Sequence, residues 1–153
     1  MRGQCFRILV VDDYEPWRCF ATSTLQKRPG LLVVDEATDG LEAVEKAQQL
    51  HPDLILLDIG LPKLNGIQAA RQIRELAPKS KILFASENRS WDIVEEALRT
   101  GALGYVVKSD AGNELLPAAE AAFEGKQFVS ASLSAHEIAK AADQNSPYEI
   151  LSS

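Results

Sequence analysis

Four apolar runs in this chain end on residues that can do chemistry. Phe6–Val11 (FRILVV) leads into Asp12 and Asp13, Leu54–Leu57 (LILL) into Asp58, Lys81–Ala85 (KILFA) into Ser86, and Tyr105–Val107 into Lys108. Gathered at one edge, these residues supply three carboxylates, a hydroxyl and an ammonium. Three carboxylates at close range repel one another unless a cation compensates them. A hard divalent ion such as Mg2+ does so through oxygen ligands. With a metal and an ammonium neutralising phosphoryl oxygens, a carboxylate can serve as the nucleophile, so the chemistry implied is phosphoryl transfer. Taken singly, each residue is weak evidence. Asp-Asp after a strand is commonly a turn or a helix start, and a lone Asp or Lys at a strand end is usually solvated. The inference rests on recurrence at successive strand ends.

The elements that must position these residues alternate strand and helix. Trp17, Phe20, Ala21, Thr24 and Leu25 recur at the spacing of one helix face, with Pro16 in the first turn and Pro29-Gly30 as the stop. Leu31–Val34 is a further apolar run. Asp39 with Glu42 three residues on predicts a capping box, and Leu41, Val44 and Ala47 mark the inner face of the helix it opens. Gly60, Pro62 and Gly66 make a loop before a helix over Ile67–Leu76. The next helix carries Ile93, Val94, Ala97 and Leu98 and ends at Gly101. The last shows Leu115, Leu116, Ala119, Ala122 and Phe123, with Pro117 expected in or near its first turn. Five strands alternating with five helices over about 6–125 predict an α/β fold, a (βα)5 doubly wound parallel sheet with right-handed crossovers. In such sheets ligands bind beyond the carboxyl ends of the strands, where these residues fall.

Composition limits the function further. The 153 residues are 46% hydrophobic and 25% charged, with a formal net charge of −6. That charge disfavours a broad nucleic-acid-binding face, because phosphate binding needs a basic surface. No run approaches a membrane span, and no apolar leader with a cleavage site opens the chain, so a cytoplasmic location without membrane contact is expected. Cys5 and Cys19 are too few for a disulfide or metal framework and are read as ordinary thiols, buried or partly so. Neither a G-x-G-x-x-G after a strand nor a Walker loop is present, which argues against nucleotide binding. His51 has no metal or nucleophilic partners and reads as a surface or capping residue. His136 lies in the tail, and Trp17 and Trp91 read as helix-face packing residues.

The motifs ILVVDD (Ile8–Asp13), LILLDIGLPKLNG (Leu54–Gly66), ILFAS (Ile82–Ser86) and GYVVK (Gly104–Lys108) resemble the receiver family of two-component response regulators. The resemblance covers about 7–125, and Asp58, Pro62 and Gly66 reproduce a family spacing. It implies the flavodoxin-like strand order 2-1-3-4-5. It further implies that Asp58 is the phosphoacceptor and that Asp12, Asp13, Asp58 and the backbone carbonyl of Gly60 hold Mg2+. Lys108 then pairs with phosphoryl oxygens, Ser86 supplies a hydroxyl drawn to the phosphoryl group, and Tyr105 is an aromatic switch that turns inward when Ser86 moves. The expected donor is a sensor histidine kinase. Homodimerisation is implied through the helix over 93–98, the strand Tyr105–Val107 and the last helix (the helix 4–strand 5–helix 5 face), or through the first and last helices.

Two positions depart from the family. Ser109 follows Lys108 where many receivers have Pro, which leaves the geometry of that peptide bond open. Glu87 follows Ser86 where a small residue is usual; it either narrows the entrance or points to solvent. A haloacid-dehalogenase-like phosphatase also uses an Asp nucleophile, but that family places a second Asp where this chain has Gly60. A pseudo-receiver acting only as a binding module is disfavoured by the full set of Asp12, Asp13, Asp58, Ser86 and Lys108.

The receiver unit is expected over 1–128, with a linker or tail over 129–153 that contains one more short helix in 130–143. Glu124–Ser132 (EGKQFVSAS) resembles the receiver end of NarL/FixJ-type regulators, in which a LuxR-type helix-turn-helix domain follows. Leu151-Ser152-Ser153 stands where the opening phrase of such a domain could begin. The expected role is control of transcription through a DNA-binding domain beyond this chain; a stand-alone receiver is the alternative. This stretch alone is not expected to bind DNA.

Overall fold

The computed structural model describes residues 5–133. The elements run β1 (Phe6–Val11), α1 (Glu15–Leu25), β2 (Leu31–Ala37), α2 (Gly40–Leu50), β3 (Leu54–Leu57), α3 (Gly66–Leu76), β4 (Lys81–Ser86), α4 (Trp91–Arg99), β5 (Gly104–Val107), a 3-10 turn (Lys108–Asp110), α5 (Ala111–Phe123) and β6 (Phe128–Val129). All strands are parallel, in the order β2-β1-β3-β4-β5-β6. The five expected strands take the expected order, and β6 is added at the β5 edge.

The strands read as unbroken apolar runs because both faces of the sheet are covered. Side chains alternate between the faces with period two. Leu9, Val11, Ile55, Leu57, Ile82, Phe84, Tyr105 and Val107 pack under α2, α3 and α4. Ile8, Val10, Leu54, Leu56, Leu83, Ala85 and Val106 pack under α1 and α5. The result is three layers, with the carboxyl ends of β1, β3, β4 and β5 on one rim.

Helix boundaries follow local chemistry. The Asp39 side chain accepts from the Glu42 N–H, while the Glu42 carboxylate reaches back to the Thr38 N–H, one residue earlier than a strict capping box. Asn65 and Gln68 cap α3 reciprocally. His51 closes α2 in a left-handed conformation (φ 45°), and Trp91 packs half-buried against the α2–α4 side of the core.

Several expectations need correction. Leu41 and Phe20 are 53% and 40% exposed, so neither belongs to an inner face; Ala43 joins Val44 and Ala47 instead. Pro117 lies mid-helix in α5, well past its first turn. Its ring faces solvent, and the flanking Leu115, Ala118 and Ala119 are anchored in the core. Cys5 and Cys19 are both exposed and unpaired, because Cys19 sits on the outer face of α1 and Cys5 precedes β1. Within the tail, residues 131–133 are helical. The rest of the short helix expected in 130–143, His136 and Leu151–Ser153 fall outside the described residues. Among the described residues no helix is long and apolar enough to cross a membrane, and no peptide bond is cis, Lys108–Ser109 included.

Candidate functional site

β1, β3 and β5 bring Asp12, Asp58 and Lys108 together. The Asp12 N–H bonds the Ala37 carbonyl and the Asp58 N–H bonds the Val11 carbonyl, so the sheet ladder carries both residues to the same level. The Lys108 ammonium lies 2.5 Å from Asp12 Oδ2 and 3.3 Å from Asp58 Oδ1. Asp12 is fully buried, and Asp58 is 8% exposed. Asp13 is exposed, yet one oxygen from each of Asp12, Asp13 and Asp58 lies within 4.8 Å of the others. With all three ionised, one ammonium leaves two negative charges uncompensated. Hard oxygen donors with that residual charge suit a divalent cation.

Burial pushes the Asp58 carboxyl above the usual carboxylate range; the Lys108 charge partly offsets this, and the neighbouring Asp12 charge adds to it. Burial alone would lower the Lys108 ammonium, but its bond to Asp12 and the charges of Asp58 and Asp12 reverse that and raise it. Lys108 therefore stays protonated at neutral pH.

The loop after Asp58 explains the Asp58, Pro62 and Gly66 spacing. The Ile59 carbonyl accepts from both Leu61 and Gly66, while the Pro62 carbonyl accepts from Leu64 and from Gly40 at the start of α2. This folds Gly66 against the backbone of Asp58: a Cβ there would stand 2.0 Å from the Asp58 carbonyl oxygen. Gly60 is exposed on the same loop, and Asp58 Oδ2 lies 4.0 Å from where its Cβ would be.

Ser86 is 6% exposed at the end of β4, and its hydroxyl accepts from the Asn88 N–H. Tyr105 points inward and is fully buried, its hydroxyl donating to the Asn88 carbonyl at 2.8 Å. Burial pushes that phenol up, with the nearby Ser86 hydroxyl working against it. Glu87 is exposed and lines a cavity beside the site with Tyr14, Trp17, Phe20 and Lys108. It therefore borders the entrance and is also open to solvent.

Two residues near the site were not singled out for it from sequence. The Trp17 ring, read as helix packing, lies 5.0 Å from the Lys108 ammonium, close enough for a cation–π attraction. Arg18 donates to the Asp12 carbonyl and to Glu36, holding the β1–α1 turn. The one available signal was their position in the first turn of a helix that directly follows Asp12-Asp13.

A doubly wound sheet with this acidic rim is the flavodoxin-like receiver architecture. The chain belongs to the response regulator receiver domain family, whose pattern matches residues 8–120. It is 32% identical to the response regulator GacA of Pseudomonas viridiflava over 95% of this chain and 70% of GacA. It is 35% identical to the nitrate/nitrite response regulator protein NarL of Escherichia coli over 82% of this chain and 58% of NarL. A protein-glutamate methylesterase/protein-glutamine glutaminase of Thermotoga maritima is 42% identical over 71% of this chain, which spans 32% of that protein's length. The fold matches the crystal structure of a LuxR-family two-component response regulator from Aurantimonas with TM-score 0.84 and 34% identity, over 91% of this chain and 99% of that one.

Proposed function

We propose that this chain is a cytoplasmic, phosphorylation-driven switch whose Asp58 accepts a phosphoryl group from the phosphohistidine of a sensor histidine kinase. The observation that carries this reading is the Lys108 ammonium held between buried Asp12 and Asp58, with Asp13 beside them. In the transfer, the phosphorus–nitrogen bond of the donor breaks as a bond forms to an Asp58 carboxylate oxygen, and the imidazole leaves with the electron pair. Asp12, Asp13, Asp58 and the Gly60 carbonyl would hold Mg2+, which would supply neutralisation of phosphoryl charge. Lys108 pairs with a phosphoryl oxygen and Ser86 offers its hydroxyl to another, while Tyr105 reports the position of the Ser86 loop. Attack of water on phosphorus breaks its bond to the Asp58 oxygen, releases inorganic phosphate and resets the switch; the chain assists its own chemistry without being a conventional enzyme.

In this reading the receiver is the unit expected over 1–128, its packed edge reaching Leu133 through β6, and the chain after it leads toward a LuxR-type DNA-binding domain through which the switch controls transcription. Dimerisation uses α1 and α5, or the α4–β5–α5 face, where β6 covers the edge of β5 and leaves the contact to α4 and α5. The test is intact-mass measurement after incubation with Mg2+ and a small phosphodonor: one added phosphoryl group is expected, and none would reject the proposal.

Asp13→Ala is expected to weaken Mg2+ binding and to slow labelling, because it removes one charged oxygen from a cation that takes only a few protein ligands. Calorimetric titration checks this; unchanged affinity would take Asp13 out of the metal site. The exposed carboxylate of Glu87 at the entrance is the observation favouring a second reading, a pseudo-receiver that repels anionic donors. Glu87→Ala is expected to speed labelling by an anionic donor by a few-fold, the size of a screened charge interaction. Equal rates would make Glu87 a solvated surface residue.

A further inference from the structure

The chain does not leave the domain at the end of α5. It turns at Gly125 and adds β6 in parallel to β5, with the Phe128 and Ser130 N–H groups donating to the Leu103 and Tyr105 carbonyls at 3.0 Å each. Gly104 on β5 is matched to this approach, since a Cβ there would lie 2.6 Å from the Phe128 carbonyl oxygen. Ser130 is fully buried. Its hydroxyl accepts from the Val107 N–H, one residue before Lys108, and donates to Glu114 of α5. The other Glu114 oxygen accepts from the Ala131 N–H. Leu133 is 1% exposed in the core cluster that contains Tyr105, Val94 and Ala97.

One side chain ties this segment to the site loops. Arg89 stands three residues after Ser86 and next to Asn88, whose carbonyl holds the Tyr105 hydroxyl. Its guanidinium donates to the Ser109 hydroxyl at 2.8 Å, beside Lys108, and to the Ser132 hydroxyl at 3.2 Å. Ser132 in turn donates to Asp110. The loop bearing Ser86, the turn bearing Lys108 and the segment after α5 thus meet at one planar fork, which a lysine could not reproduce.

We propose that Arg89 is a positioning residue that couples the Ser86–Asn88 loop to the segment 127–133, so that docking of this segment and the state of Asp58 are thermodynamically linked. The linkage to phosphorylation rests on the phosphoacceptor reading above. Tyr105 is held by the Asn88 carbonyl, and the adjacent Arg89 holds the docked segment through Ser132, so a ligand that tightens the Ser86 loop is expected to tighten the segment through this contact. By reciprocity, loosening the segment must loosen the loop.

Hydrogen exchange read by mass spectrometry on the full 153-residue chain tests this, with Asp58 occupancy followed by intact mass under a sustained supply of a small acyl phosphate and Mg2+. Occupancy is expected to slow exchange of amides 128–133 by about fivefold, the size that two net exposed hydrogen bonds support. Arg89→Lys, which keeps the charge but loses the fork, is expected to abolish that response at equal occupancy. Full occupancy with unchanged exchange overturns the linkage, and a wild-type response in Arg89→Lys overturns the role of Arg89. If no phosphoryl group is taken up, the phosphoacceptor reading fails and the coupling is judged on the unmodified chain. There Ser132→Ala must speed exchange of amides 88–90 as well as 130–133; acceleration confined to 130–133 overturns it.

Discussion

Asp58→Asn should take up no phosphoryl group under conditions that label the wild-type chain fully, and should be the more stable protein in the absence of metal. Asparagine keeps the shape of the side chain but offers no carboxylate to form the acyl phosphate, and Lys108 retains Asp12 as a partner at 2.5 Å. The stability effect follows from the raised Asp58 carboxyl, for which burial is the largest cause. A group whose folded pKa lies above its unfolded value, about 3.9 for Asp, stabilises the fold below the unfolded value. That contribution is lost as pH rises through the folded value. At neutral pH ionised Asp58 therefore works against folding, and the amide removes that cost. The melting temperature of Asp58→Asn in chelator should exceed that of wild type at neutral pH, and the gap should close as pH falls through the carboxylate range. A lower melting temperature at neutral pH would mean that attraction to Lys108 outweighs burial. Equal labelling of both proteins would remove Asp58 as the acceptor.

Gly66→Ala should be among the most damaging substitutions of a residue that does no chemistry. Its Cβ would stand 2.0 Å from the Asp58 carbonyl oxygen and 2.8 Å from the Ile59 Cα, and all of these are backbone atoms. Relief requires moving either the end of β3 or the first turn of α3, which is held by the Asn65–Gln68 caps. Overpacking that moves backbone costs up to about 3 kcal/mol, occasionally more, enough to lower the melting temperature by roughly 10 °C in a domain of this size. Because β3 carries Asp58, labelling should slow as well. Gly112→Ala is the control: nothing lies within 4 Å of its Cβ position in the first turn of α5, and the loss of unfolded-chain freedom should make the change neutral to stabilising, by up to about 1 kcal/mol. Denaturant unfolding of both variants decides the matter. A Gly66→Ala protein within about 0.5 kcal/mol of wild type would mean that the loop gives way easily.

Much of the fold and of the candidate site can be read from the linear chain. Parallel strands covered on both faces appear as FRILVV, LILL and KILFA, and crossover connections require helices between them. Once that alternation is seen, Asp12, Asp58, Ser86 and Lys108 must share a rim, because residues ending parallel strands end at the same edge. The Asp58, Pro62 and Gly66 spacing is likewise local, set by a loop that folds Gly66 onto the Asp58 backbone. Local signals could not supply contacts between segments that meet only across the fold. Trp17 lies against Lys108 although 91 positions separate them in the sequence. Periodicity marked Trp17 as inward-facing but could not say what stood opposite. The same limit placed Leu41 and Phe20 on inner faces: an apolar side chain repeating every three or four residues fits either the centre or the margin of a helix stripe. β6, at two residues, is too short to carry a strand pattern and exists through its pairing with β5. Arg89 meets Ser109 and Ser132 for the same reason. Strand ends are set by chain periodicity, whereas a side-chain fork bridging three segments is set only when packing brings those segments within hydrogen-bond reach.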